Sequence, residues 1–335
     1  MARGPAVGVG GGEGAVSARL VTSTVAVLGF GNQGQAHAQN LRDAGVEVVV
    51  GARPGRGAES HARTLGFPVA DPPEAARRAQ VVAVLLPDEA VPAAWPALSA
   101  ALAADAALVF AHGFNLLYAD LPLPPRGDVV LVSPTGPGRV LRALHERGET
   151  LPGFLAVHRD GTGEAWALAA EYAEKLGCAP VLSTTVREET EVDLFGEQAV
   201  LCGGMNALVT AAFETLVSRG YAPEIAYLEC VHQLKYLADL LHERGVAGLR
   251  RGISGTALYG DLSRGPRVIG DPSRAAMEAL LEEIRSGSFA REWAAEEAGG
   301  KRWLEAAVAR AEGHPLEQAR RRSLEAGPGP ADEQA

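Results

Sequence analysis

The sequence predicts an α/β fold: an N-terminal doubly wound parallel sheet of the Rossmann type, followed by an all-α domain. Three observations carry that expectation. Short apolar, β-branched runs alternate with Ala/Arg/Glu-rich stretches as far as Thr185. The first run leads directly into Gly29-Phe30-Gly31-Asn32-Gln33-Gly34. After Arg187 strand-like runs give way to segments rich in Ala, Leu and Glu.

In chain order, the runs at 25–28, 46–50, 81–86, 107–111, 129–132, 153–157 and 179–182 are continuously apolar. That is the pattern of strands covered on both faces, hence parallel and joined by helical crossovers. The expected organisation is an extension over 1–20, a dinucleotide-binding domain over 21–186, a helical domain over 187–321 and a tail over 322–335. The extension is rich in Gly, Ala and Val and lacks the apolar core of a signal peptide. The tail has the Gly/Pro/acidic composition of a disordered segment.

Of 335 residues 47% are hydrophobic, enough for one large or two ordinary cores. A net charge of −10 argues against nucleic acid and anionic membrane as partners. No uninterrupted apolar run approaches the length of a membrane span. Cys178, Cys202 and Cys230 have no metal-site spacing, so buried, reduced thiols in a cytoplasmic protein are expected.

The glycine fingerprint follows a strand and opens a helix, the context in which it binds a dinucleotide. Gly29 permits the tight turn, Gly31 lets backbone approach a pyrophosphate, and Gly34 lets the helix pack on the strand. The second strand ends in Gly51-Ala-Arg53-Pro-Gly-Arg56. An NAD site usually carries an acid there, whereas two arginines suit a 2′-phosphate, so NADPH is expected over NADH.

Asp193 and Glu197 lie four apart in a helical stretch, which places both carboxylates on one face. A hard divalent cation such as Mg2+ would turn their repulsion into a site. The small, apolar run 199–205 that follows suggests a helix entering a core. Glu229 and Gln233 repeat the spacing, although the glutamine offers only a neutral carbonyl oxygen. His112 follows the strand at 107–111, on the sheet edge where ligands of open α/β sheets bind. It is a candidate proton donor or orienting group. Ser133-Pro-Thr135-Gly-Pro-Gly138 forms a rigid loop on the same rim.

In this order the pieces resemble the short, class I form of the ketol-acid reductoisomerase family, across nearly all of 25–320. The shared strings include GFGNQG, AHAQNLRD, LLPDE, AHGFN, GPG at 136–138, EETEVDLFGEQAVLCGG at 188–204, FETLV and YGD at 259–261. The resemblance implies an enzyme that moves an alkyl group within an acetolactate-type acid and then reduces the 2-oxo acid with NAD(P)H. It implies a Rossmann domain, a knotted helical domain and a homodimer whose active sites use residues of both chains. Two Mg2+ ions are held by four carboxylates in the family. Asp193, Glu197 and Glu229 match three of those positions, Ser254 matches the serine on the substrate carboxylate, and His112 matches the histidine near the nicotinamide. Cofactor contacts are implied at Gly29, Phe30, Gly31, Asn32, Gln33, Gly34 and Pro87, at His112 and Gly138, and at Arg53 and Arg56.

Three positions depart from the family pattern. Gln233 stands for the fourth carboxylate, Thr135 for a lysine, and Leu258 for the glutamate beyond the serine. Migration demands more of the metals than reduction does. The sequence therefore predicts an NAD(P)H-dependent reductase of a small oxo or imino acid, with migration weak or lost and one Mg2+ retained. The alternatives are a genuine reductoisomerase of branched-chain amino-acid synthesis and a non-catalytic dinucleotide-binding protein.

Overall fold

A computed structural model describes residues 20–325. Most of the expected extension and the end of the expected tail lie outside these described residues. At their borders the chain is more ordered than expected. Leu20 is fully buried and its N–H donates to the Glu171 carboxylate at 3.1 Å. Helix continues to Glu325, beyond the expected boundary at 321. The chain divides into two units, Met1–Val192 and Asp193–Ala335, each described here by itself.

The first unit holds β1 Thr24–Leu28, β2 Glu47–Gly51, β3 Val69–Ala70, β4 Val81–Val84, β5 Ala107–Phe110, β6 Val129–Pro134, β7 Leu151–Arg159 and β8 Cys178–Ser183. Its helices are α1 Asn32–Asp43, α2 Gly57–Thr64, α3 Pro72–Arg77, α4 Val91–Ala101, α5 Phe114–Tyr118, α6 Gly138–Glu146 and α7 Ala165–Leu176, and α8 Val186–Gly196 crosses the division. One eight-stranded sheet runs β3-β2-β1-β4-β5-β6-β7-β8. Alternation along β1 shows why it is covered on both faces. Val25 and Val27 pack into one core cluster with α1 and α7, and Ala26 and Leu28 into a second with α3 and α4. Full burial of each large aliphatic contributes roughly 1.5–3 kcal/mol.

Six strands are parallel as expected, but β7 runs antiparallel to β6, and β8 runs parallel to β7. The two-residue β3 was not anticipated. An apolar run reports burial and not direction. β7 and β8 are in any case only partly covered, and five of six residues of β8 are exposed or half-buried. Two buried polar contacts tie α1 to α7. His37 Nδ1 meets the Tyr172 hydroxyl at 2.9 Å, and Asn40 donates to the Leu176 carbonyl at 2.9 Å. Desolvation pushes the His37 pKa down to about 3, so the pair is neutral.

The second unit is helical: α9 Gly203–Val217, α10 Pro223–Tyr227, α11 Leu234–Gly252, α12 Gly255–Val268, α13 Asp271–Arg285, α14 Ser288–Ala298, α15 Arg302–Glu312 and α16 Pro315–Glu325. A small core of Phe213, Ala226, Tyr227 and Ala319 joins α9, α10 and α16. His314 Nε2 meets Glu214 at 3.1 Å and Arg322 pairs with Glu224.

One expectation fails here. The 199–205 segment does not enter a core, because Val200 and Leu201 are 55% and 62% exposed. The helical stretch Val186–Val217 contains an 18-residue window of mean hydropathy 1.5, which meets the length and average composition of a membrane span although no uninterrupted apolar run does. Glycines and isolated polar residues break the apolar run in the sequence without lowering its average enough. The thiols differ too: Cys178 is buried, Cys202 exposed and Cys230 half-buried.

Candidate active site

The dinucleotide loop is built by the strand-turn-helix at β1 and α1. Gly29 has φ +97, and a Cβ there would lie 2.7 Å from the Leu85 carbonyl carbon. A Cβ on Gly34 would lie 2.9 Å from the Gly29 carbonyl carbon. Gly31 is different: a Cβ would meet nothing within 4 Å. Two glycines thus allow close packing, and the third faces open space where a pyrophosphate can approach the α1 N-terminus. Phe30 turns inward and packs edge-on to Phe67.

The loop before α6 is clipped to this cradle. Gln33 Nε2 donates to the Gly136 carbonyl at 3.0 Å, and Asn32 Oδ1 accepts from the Arg139 N–H at 3.0 Å. Pro137 has no side-chain acceptor with which to cap α6, so Asn32 serves that end from another element. A Cβ on Gly138 would press on the Asn32 backbone, 2.6 Å from its carbonyl carbon. Gln33 Oε1 is buried without a hydrogen-bond partner, an acceptor suited to a ligand donor at this loop. The open face at Gly31 and this orphan acceptor fit a bound dinucleotide. Pro87, Arg53 and Arg56 are exposed.

His112 sits in the turn between β5 and α5. Its Nδ1 lies 3.4 Å from Glu189 Oε1, and Glu189 Oε2 accepts the Gly113 N–H at 3.1 Å. The Glu189 side chain is 1% exposed. Donation from Nδ1 to this side chain sets the histidine tautomer with N–H on Nδ1. Asp88, after β4, accepts from buried Asn115 at 2.9 Å. Burial raises its pKa, partly offset by His112 and Asn115. Sequence reasoning missed Glu189 and Asp88. Each lies within a string that had been noted, but a lone acid has no spacing to mark it.

Asp193 and Glu197 are both exposed. Asp193 sits on α8, while Glu197 opens a π-helical turn, Glu197–Leu201, closed by the Cys202 N–H on the Glu197 carbonyl at 2.9 Å. Glu229 lies in a second π-turn, Leu228–His232, and Gln233 closes it on the Leu228 carbonyl at 3.3 Å. Both four-apart pairs, Asp193 with Glu197 and Glu229 with Gln233, therefore fall at wide turns, which are frequent at functional sites. The donors are three carboxylates and one amide oxygen, all exposed, a set that fits a hard cation in kind. Ser254 caps α12, its Oγ accepting the Ala257 N–H at 3.2 Å. The Thr135 hydroxyl donates to the Pro152 carbonyl at 2.9 Å.

Comparison with known proteins agrees across the chain. A family model described as acetohydroxy acid isomeroreductase, NADPH-binding domain, matches residues 19–181. A second, described as ketol-acid reductoisomerase, C-terminal domain, matches residues 186–325. An NADH-preferring ketol-acid reductoisomerase from an uncultured archean is 37% identical, with TM-score 0.89 over 92% of this chain and 97% of its own. A semialdehyde dehydrogenase NAD-binding protein from Cupriavidus necator, at 18% identity and TM-score 0.60, covers 79% of this chain and 99% of its own. A pyrroline-5-carboxylate reductase from Coxiella burnetii, at 16% and 0.56, covers 79% and 98%. The last two share the fold.

Proposed function

We propose, from the premise that this chain belongs to the ketol-acid reductoisomerase family and is an NAD(P)H-dependent oxidoreductase, that it reduces a small 2-oxo or imino acid. In this reading NADPH is the preferred cofactor and alkyl migration is weak or absent. One observation carries the second point. Where the family pattern has a lysine and a fourth carboxylate, this chain has Thr135, bonded to its own backbone at Pro152, and neutral Gln233.

When bound, the dinucleotide would supply a hydride, and Mg2+ held by Asp193, Glu197 and Glu229 would supply charge that polarises the substrate carbonyl. His112, oriented by Glu189, moves a proton at the substrate oxygen. Ser254 already accepts the Ala257 N–H, so its own hydrogen is directed to another acceptor. At the α12 N-terminus that acceptor is well suited to be the substrate carboxylate. Gln233 can lend an oxygen but no charge, and two close divalent ions need ligand charge to offset their repulsion. A single Mg2+ is therefore expected. Exposed apolar residues on the helical unit, among them Val200, Leu201, Leu208 and Tyr236, support a homodimer with shared active sites. Three cysteines without a disulfide support a cytoplasmic setting.

A genuine reductoisomerase is the second reading, favoured by the 37% identity to an archaeal reductoisomerase that prefers NADH. The deciding assay follows cofactor oxidation by purified protein with acetolactate, with its isomerised 3-hydroxy-2-oxo product, and with a small cyclic imine. Turnover of the product or the imine, with acetolactate slow, supports the proposal. Acetolactate turnover on the order of 1 per second or faster would establish the second reading.

A further inference from the structure

We propose that Glu59 is the positioning residue for cofactor selection: its carboxylate holds the loop after β2 in the shape that presents Arg53 and Arg56 to the adenosine ribose. This deepens the NADPH reading and rests on it.

The second strand of a doubly wound sheet ends beside the ribose of a bound dinucleotide. Here β2 ends at Gly51 and α2 begins at Gly57. Between them Pro54 and Gly55 form a turn, with Gly55 at φ +73. Proline followed by a glycine of positive φ is the signature of a type II turn. Such a turn leaves its glycine N–H without a partner inside the turn. Glu59 Oε2 accepts that N–H at 2.6 Å.

The other oxygen is also committed. Arg63 donates to Glu59 Oε1 through Nε at 3.1 Å and Nη2 at 2.9 Å, and Nη2 reaches the Val69 carbonyl at 3.5 Å. Val69 belongs to β3, paired with β2. The loop is therefore braced through Glu59 and Arg63 to the sheet edge. The Glu59 side chain is 20% exposed, against 57% for Arg63. The Gly55 N–H, and then Arg63, hold the Glu59 carboxyl below its usual range, so it stays ionised.

The arginines divide into two roles. Arg63 is occupied by Glu59. Arg53 and Arg56 are exposed and have no ion-pair partner among the described residues. Two open guanidinium groups on a braced turn suit a dianionic phosphate, which each can grip as a fork. Without the brace, glycine's freedom at position 55 lets the turn wander, and ordering it again costs affinity. A ribose 2′-hydroxyl asks far less of the loop.

The test uses the full chain and measures binding. Dissociation constants for NADPH and NADH are obtained by fluorescence titration of wild type, Glu59→Ala and Glu59→Gln. Hydrogen exchange is followed over 52–57 without nucleotide. Glu59→Ala is expected to raise the NADPH constant about tenfold, as for loss of one hydrogen bond to a charged group. Its NADH constant should stay within about twofold, and exchange in the loop should quicken. Glu59→Gln keeps an oxygen for the Gly55 N–H and should retain most NADPH affinity. Equal loss for both cofactors, no loss for either, unchanged exchange in Glu59→Ala, or a glutamine variant as weak as the alanine each overturn the proposal. Wild type binding NADH as tightly as NADPH removes the NADPH reading alone, and the exchange rates then still decide whether Glu59 braces the loop.

Discussion

Adding one methyl group at Gly31 and, separately, at Gly34 separates nucleotide binding from folding within a single loop. Gly31 has φ −82 and ψ −156, an extended conformation open to any residue, and its Cβ would meet nothing within 4 Å. Gly31→Ala should leave the apo protein's stability within about 0.5 kcal/mol of wild type. The new methyl lies where a pyrophosphate must approach. Losing two backbone hydrogen bonds to charged oxygens, at roughly 1.5–3 kcal/mol each, weakens nucleotide binding by about 10²–10⁴-fold. Gly34→Ala behaves in the opposite way. Its Cβ would stand 2.9 Å from the Gly29 carbonyl carbon, against the 3.5–4.0 Å of ordinary carbon contacts. α1 must back away from β1. Overpacking of this kind costs about 1–3 kcal/mol, while the helix gains at most about 1 kcal/mol from replacing glycine. A fall in melting temperature of up to about 8 °C follows for a domain of this size. Thermal unfolding without nucleotide and NADPH titration are the two readouts. Wild-type NADPH affinity in Gly31→Ala, or wild-type melting together with wild-type affinity in Gly34→Ala, would refute the reasoning.

Burial raises the Asp88 pKa above its unfolded value of 3.8. The folded state then keeps a proton that the unfolded chain loses, and stability falls as pH rises through that window. Asp88→Asn should flatten this fall and be no less stable at pH 7. Urea midpoints at pH 4 and pH 7 check it, and an unchanged difference between them counts against the assignment. Ser254→Ala removes the α12 cap and should cost about 1 kcal/mol in urea unfolding. In the proposed role it should also raise the KM for the oxo acid roughly tenfold. Gln233→Glu combined with Thr135→Lys should tighten Mg2+ binding measured by calorimetry, and an unchanged affinity would remove Gln233 from the metal site. Sedimentation at micromolar concentration should give a dimer, and a folded, active monomer would exclude shared active sites.

The sheet was legible where both faces are covered. Continuous valine runs such as 81–84 admit few other arrangements, and the glycine fingerprint marked the α1 junction nearly to the residue. The reversal of β7 was not legible, because hydrophobicity records which strands are buried and not which way the chain runs. His112 could be placed from its position after β5, but Glu189 beneath it could not. Its partner is 77 residues away in sequence. The exposed face of 199–208 misled for a related reason. A small, apolar run signals contact, and it does not say whether the contact lies within one chain.

The two π-turns make register at Asp193/Glu197 and Glu229/Gln233 a matter of counting. Each inserts one residue into a helical ladder, beside Glu197 and around Glu229. Deleting a single residue from either turn would restore an ordinary α-helix and its regular bonding. It would also rotate everything downstream by about 100° relative to what lies before. Backbone length therefore aims these side chains, and their identities are left to vary. A glutamine can stand at position 233 without moving its neighbours, so chemistry at this place can change by point substitution while a one-residue deletion would turn the downstream donors away.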